Sequence, residues 1–153
     1  MLSAMVKVRR LVIGILVGAL ALSACTRDVQ DIEAAPAEKG GMDVPLPYQV
    51  VYDDLKEAVF NCFPTGGTVS SHRYPASMQL VPGKYGRVAG YSGGALGEQI
   101  RVLIEVKAVT DTTTHLDYYS DYFFADNLKI GGASKFRPVL ENWVAGKSYE
   151  CGR

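Results

Sequence analysis

Four groups of residues in this chain have side chains that could do chemistry. The first is Gly90-Tyr91-Ser92-Gly93-Gly94, which has the form G-x-S-x-G. A nucleophilic serine of that kind needs a strand before it and a helix after it, so that its hydroxyl stands on a strained turn. Here Ala95-Leu96-Gly97 leads within a few residues into a strongly alternating strand, and the one histidine downstream is His115. The segment from Tyr91 to Gly97 therefore reads as a glycine-rich loop between strands. Its glycines neither fit a phosphate-cradling loop nor precede a helix. The second group is His72, His115 and Asp117, an acid/base or metal set if strand register brought them together. Solvated histidines on a sheet face are the plainer reading. The third is the cysteines Cys25, Cys62 and Cys151. With two histidines and no close spacing they do not make a zinc pattern. The fourth is aromatic: Tyr118-Tyr119-Ser120-Asp121-Tyr122-Phe123-Phe124 is the densest stretch in a chain with nine tyrosines. Rings with polar tips suit interfaces and sugar stacking, and they suit half-buried strands for the same reasons of shape. If the chain has a binding surface, Tyr91, Tyr118, Tyr119, Tyr122 and Phe123 are expected on it. No catalytic residue, metal or cofactor is expected.

The elements that must position these residues follow from periodicity. Val51, Leu55, Val59 and Cys62 recur at helical spacing, so Tyr48 to Cys62 reads as an amphipathic helix. Phe63-Pro64 and Gly66-Gly67 stop it, and Pro45 and Pro47 favour an extended approach. From Ile100 to Val109 the residues Ile100, Val102, Ile104, Val106 and Ala108 are expected to point one way. Arg101, Glu105 and Lys107 point the other, which predicts a sheet with one covered and one largely wet face. Thr113 to Tyr119 returns as the hairpin partner. Thr68 to Tyr74 and Ser77 to Val81 read as two strands around Pro75-Ala76, and Tyr85 to Tyr91 as a short further strand. Phe136, Val139, Leu140, Trp143 and Val144 form a helical stripe, which predicts a helix from Lys135 to Ala145. Ser134 is expected to cap its start and Gly146 to sit just past its end. The predicted class is α+β: a helix, an antiparallel meander of four to five strands, and a closing C-terminal helix on the same sheet face. Thr26 to Pro47 has too few apolar residues for a core and reads as a flexible tether, with at most transient helix near 28–38. As a coil its 22 residues would span roughly 25 Å. The single domain is placed at 48–153, and it is expected to fold without the tether.

The amino terminus has a different composition. Lys7, Arg9 and Arg10 are followed by twelve apolar residues, Leu11 to Leu22, and then by the small residues Ser23 and Ala24. A membrane-spanning helix needs about 20 apolar residues, so this run has the length of a cleaved export signal. Leu22-Ser23-Ala24-Cys25 resembles the lipobox of bacterial lipoproteins. That resemblance implies an acylated Cys25 and cleavage of residues 1–24. It also implies a membrane partner, since two or three acyl chains anchor stably where one is marginal. Thr26 follows the cysteine where enterobacterial family members retained in the inner membrane carry Asp. The resemblance thus implies the periplasmic face of the outer membrane.

Without residues 1–24 the chain keeps 129 residues, 13 of them basic and 16 acidic, a net charge of −3. That length supports one domain, and the absence of a basic stripe excludes a nucleic-acid partner. If lipid occupies Cys25, the remaining pair Cys62 and Cys151 reads as a disulfide in an oxidising compartment, closing a loop of 90 residues. Tyr48-Gln-Val-Val-Tyr-Asp-Asp-Leu with Cys62-Phe63, and Trp143-Val-Ala-Gly with Cys151, resemble small proteobacterial lipoproteins of uncharacterised function. The α–β–α outline is also similar to the domains of the BamC family of outer-membrane assembly lipoproteins, an analogy of fold that carries no function. Two function classes follow: a non-catalytic accessory module with an envelope protein partner, or a binder of a small lipid or glycan between sheet and helices.

Overall fold

Asp28 opens the fold. Its carboxylate accepts from the N–H groups of Gln30 and Asp31 at 2.8 and 3.1 Å, and Asp31 Oδ2 accepts from the N–H of Asp28 at 3.1 Å. This reciprocal box satisfies donors that a helix start leaves orphaned, and it begins α1 (Val29–Ala34). The chain then turns into β1 (Glu38–Val44). The computed structural model describes residues 28–63, 66–68, 71–94, 97–121 and 136–148. Within them, the stretch expected to be a flexible tether is folded from Asp28 onward, so residues 28–44 contribute a helix and a strand to the domain that was expected to start at 48. The apolar residues there are few, but the fold uses them: Ile32 is fully buried and Val44 is 3% exposed.

Pro47 leads in extended conformation into α2 (Tyr48–Cys62), whose Val51, Leu55, Ala58 and Val59 are buried as the helical spacing required. After it come β2 (Gly66–Thr68), β3 (Ser71–Val81), β4 (Tyr85–Gly94), β5 (Gly97–Thr110) and β6 (Thr113–Ser120). They form one six-stranded antiparallel sheet in the order β1-β6-β5-β4-β3-β2. The meander is as expected, with β1 added beside β6. Two local expectations change. β3 runs unbroken through Pro75-Ala76, where two strands were expected, and β4 extends to Gly94 through the predicted loop.

The closing helix, α3 (Phe136–Val144), lies with α2 on one face of the sheet. Trp143 and Phe136, packed edge to face at 5.6 Å, join Leu55, Ile104, Leu116 and Leu140 in a filled core. Gly146 has φ +76° just past α3. The N–H of Lys147 bonds the carbonyl of Asn142 at 3.0 Å and that of Gly146 bonds Trp143 at 3.1 Å. This is the Schellman closure that a glycine at this position supplies. The first donors of α3 are met from β1: Glu38 accepts from the N–H groups of Phe136 and Arg137 at 2.8 and 3.4 Å. Ser134, expected as the cap, lies outside the described residues. Two strand glycines let aromatic rings lie directly on the sheet. A Cβ at Gly90 would stand 2.5 Å from the Phe63 ring, and one at Gly86 would stand 2.7 Å from Tyr48 Oη and from the Tyr52 ring.

A bulge reverses one predicted side chain. Gly90 pairs with Val102 and Tyr91 with Ile100, which leaves Arg101 as an extra residue in β5. An extra residue shifts the alternation by one. Ile100 therefore leaves the helix-covered face and joins Ile32, Ala89 and Leu103 in a second, smaller cluster beneath α1. Both faces of the sheet are thus partly covered, where one face was expected to be largely wet.

Candidate functional site

The face under α1 carries the densest arrangement of polar groups. Register brings Tyr85 and Arg87 of β4, Glu105 and Lys107 of β5, and His115 and Asp117 of β6 to the same side, next to Asp43 of β1. Glu105 sits at the centre, 7% exposed. It accepts from Tyr85 Oη at 2.5 Å and Arg87 Nε at 2.9 Å, and its other oxygen lies 3.0 Å from Lys107 Nζ. Lys107 also donates to Asp117 at 2.7 Å. His115 continues the chain, 2.6 Å from Asp43 and 3.4 Å from Asp117. Arg87 reaches Glu33 of α1 at 3.5 Å. The network crosses four strands and ties the helix above them.

Burial pushes the Glu105 carboxyl up, but the hydrogen bonds from Tyr85, Arg87 and Lys107 outweigh it and leave the group below its ordinary value. The carboxylate of Asp117 raises the Lys107 ammonium, with further support from Glu105. Asp43 raises the His115 imidazole. The shifts of Glu105, Lys107 and His115 each favour the charged form of a group facing an opposite charge, while burial and Glu105 raise the Tyr85 phenol and keep it protonated.

The sequence-predicted residues fall in different places. Ser92 lies within β4, not on a strand-to-helix turn, and its Oγ accepts from Arg101 Nε at 2.5 Å. Arg101 also pairs with the buried Asp121 at 2.5 Å. The serine thus belongs to a structural ion-pair cluster at the bulge. The strand order separates the positions of His72 and His115. They stand on β3 and β6 with two strands between them, roughly 14 Å apart at ordinary strand spacing. Among the described residues no group of three or more His, Cys, Asp or Glu side chains could hold a metal ion.

The aromatic candidates divide by parity. Tyr118 points into the main core, 4% exposed and packed edge to face on Phe136 at 5.6 Å, so it leaves the expected binding surface. Tyr119 and Tyr91 are half-buried beside the cluster beneath α1. Tyr122 and Phe123 lie outside the described residues, as do Cys25 and Cys151. Cys62 ends α2, half-buried against the core and disulfide-bonded. Among the described residues, core side chains of α2, α3 and the sheet pack together between sheet and helices. Two of the grooves formed by described residues are open to solvent. One, of about 640 Å³, lies between α2 and β3 and includes Asp53, Lys56, Phe60 and Pro75. The other, of about 500 Å³, lies at the start of α2 beside Lys84 and Asp111.

Sequence reasoning paired His115 with Asp117 but missed the rest of the ladder from Arg87 to Asp43. Its only local trace is alternation, with Glu105 and Lys107 two apart and His115 and Asp117 two apart. Which charge faces which depends on register, set by the bulge and the hairpins.

The sequence matches no protein-family model and no curated protein. Among solved structures, the crystal structure of a conserved protein from Geobacillus kaustophilus is similar over 74% of this chain and 93% of that one, with 12% identity and a TM-score of 0.38.

Proposed function

We propose that the chain is a bacterial lipoprotein, held on the periplasmic face of the outer membrane by acyl chains on Cys25, and that its folded domain is a non-catalytic accessory module of the envelope. The observation that carries this reading is the order basic cluster, twelve-residue apolar run and Leu22-Ser23-Ala24-Cys25, placed directly before a domain. Among the described residues no helix is long and apolar enough to cross a membrane. The reading is supported by polar groups engaged in structural pairs, with Ser92 held by Arg101 and Glu105 held by three donors. An acylated Cys25 also leaves Cys151 as the partner of Cys62. Ser148 Oγ bonds Glu57 Oε1 of α2 at 3.2 Å, which brings the chain three residues before Cys151 alongside that helix.

The test is metabolic labelling with palmitate. The wild type incorporates label and fractionates with the outer membrane, and Cys25→Ser does neither. Labelling of the mutant at the wild-type level would sink the reading. Crosslinking in the intact envelope then identifies the protein partner.

A further inference from the structure

Asp28, the first described residue, caps a helix that lies on one particular face of the sheet. Only three peptide steps separate it from Cys25, a maximum of about 11 Å between the two Cα atoms. Helix α1 rides on the sheet above Ala89, Ile100 and Leu103, while α2 and α3 cover the opposite face. With helices about 10 Å across, roughly 20 Å of protein separates the α1 side from the outer surface of α2 and α3. A chain of three residues cannot cross that distance.

We propose that the acyl chains on Cys25 hold the α1 side of the sheet against the headgroup layer of the bilayer, so that α2 and α3 face away from the membrane. This rests on the lipoprotein reading above, and it replaces a freely rotating tethered domain with one of fixed orientation. The occupant is a phospholipid surface, argued from where Asp28 sits and from how little chain separates it from the lipid. The chemistry of the face agrees. It presents Lys39, Asp43, Lys107, His115 and Asp117, charges of both signs that suit hydrated headgroups and are too costly to place in hydrocarbon. Attachment comes from the acyl chains, and orientation comes from the short link. Phe60, 57% exposed on α2, is then turned toward the periplasm.

The experiment uses full-length acylated protein in vesicles of phosphatidylethanolamine and phosphatidylglycerol, with a fraction of lipids carrying a headgroup quencher. A fluorescent non-canonical residue replaces Lys39, exposed on β1, or Lys56, exposed on α2. Mass analysis of the amino-terminal peptide is read first. Quenching at position 39 is expected to exceed that at position 56 several-fold. A flexible insert of about 15 Gly and Ser residues between Arg27 and Asp28 removes most of the difference. Equal quenching at the two positions in protein whose Cys25 carries acyl chains would overturn the fixed orientation and leave the lipoprotein reading standing. An unmodified Cys25 in protein recovered from the membrane would overturn both.

Discussion

Gly90 and Ser92 invite a reading as part of a nucleophile motif, and each has a plainer physical role. Gly90 is the floor under the Phe63 ring, and Gly90→Ala would place a methyl group 2.5 Å from it. Overpacking of this kind costs about 1–3 kcal/mol. A urea titration of the variant should show that loss with an unchanged slope, whereas an unaltered midpoint would mean the ring shifts freely. Glu105 illustrates a second point, that a buried charge is tolerable when its acceptor sites are used. Glu105→Gln leaves Arg87 and Lys107 facing a neutral amide. Both cations reach water, with side chains 32% and 41% exposed. The loss should therefore be about 1–3 kcal/mol, below that for a fully buried pair. Unchanged stability in urea would mean that the two cations re-pair without strain.

At the scale of elements, α1 and β1 matter most because other parts depend on them. β1 covers the edge of β6, its Glu38 caps α3, and Ile32 of α1 closes the smaller core. A soluble form starting at residue 45, expected from sequence to fold unaided, should instead lose most of its stability. Ile32→Ala alone should cost about 2–5 kcal/mol. A thermal midpoint of the truncated form within a few degrees of the full domain would return residues 28–44 to the status of a tether. The contact between His115 and Asp43 adds a pH dependence to the β1–β6 seam. Asp43 raises the histidine above its ordinary value. A raised folded value means the folded state holds the proton more tightly than the unfolded chain. The added stability is therefore complete below about pH 6.5 and is lost as pH rises through the higher folded value. Compared with His115→Gln, the wild type should have the larger thermal advantage at about pH 6 and a smaller one at about pH 9. An advantage that grows with pH would contradict the ion pair.

For the whole molecule, the disulfide at Cys62 is the long-range constraint. With Cys151 as the expected partner, it would close a 90-residue loop and fasten the end of α2 to the chain after α3. Cys62→Ala should cost about 2–5 kcal/mol and leave a weakened but folded domain, since a chain of this size buries a substantial core. Peptide mapping without reduction should recover the 62–151 pair. Recovery of a 25–62 pair would remove this staple and the lipid anchor together, because one thiol cannot carry both bonds.

Most of the long elements were legible because their signals are local. The stripe of α3, the stripe of α2 and the alternation of β5 against β6 can each be read within one window of residues. Gly146 is of the same kind, since a helix end needs a positive φ that glycine adopts at least cost. The other features depend on residues far apart in the chain. α1 and β1 look too polar for a core when counted alone. Their place depends on the free edge of β6, some 80 residues later, and on an apolar patch that exists only because the bulge at Arg101 turns Ile100 to that side. The charge ladder has the same origin, because Arg87, Glu105, Asp117 and Asp43 become neighbours only once four strands take their register. The capping pair Asp28 and Asp31, three residues apart, was the one local sign of a helix there. Periodicity within a segment shows which face is apolar, whereas hydrogen bonding between distant strands settles which segments share a sheet and which side chains meet across it.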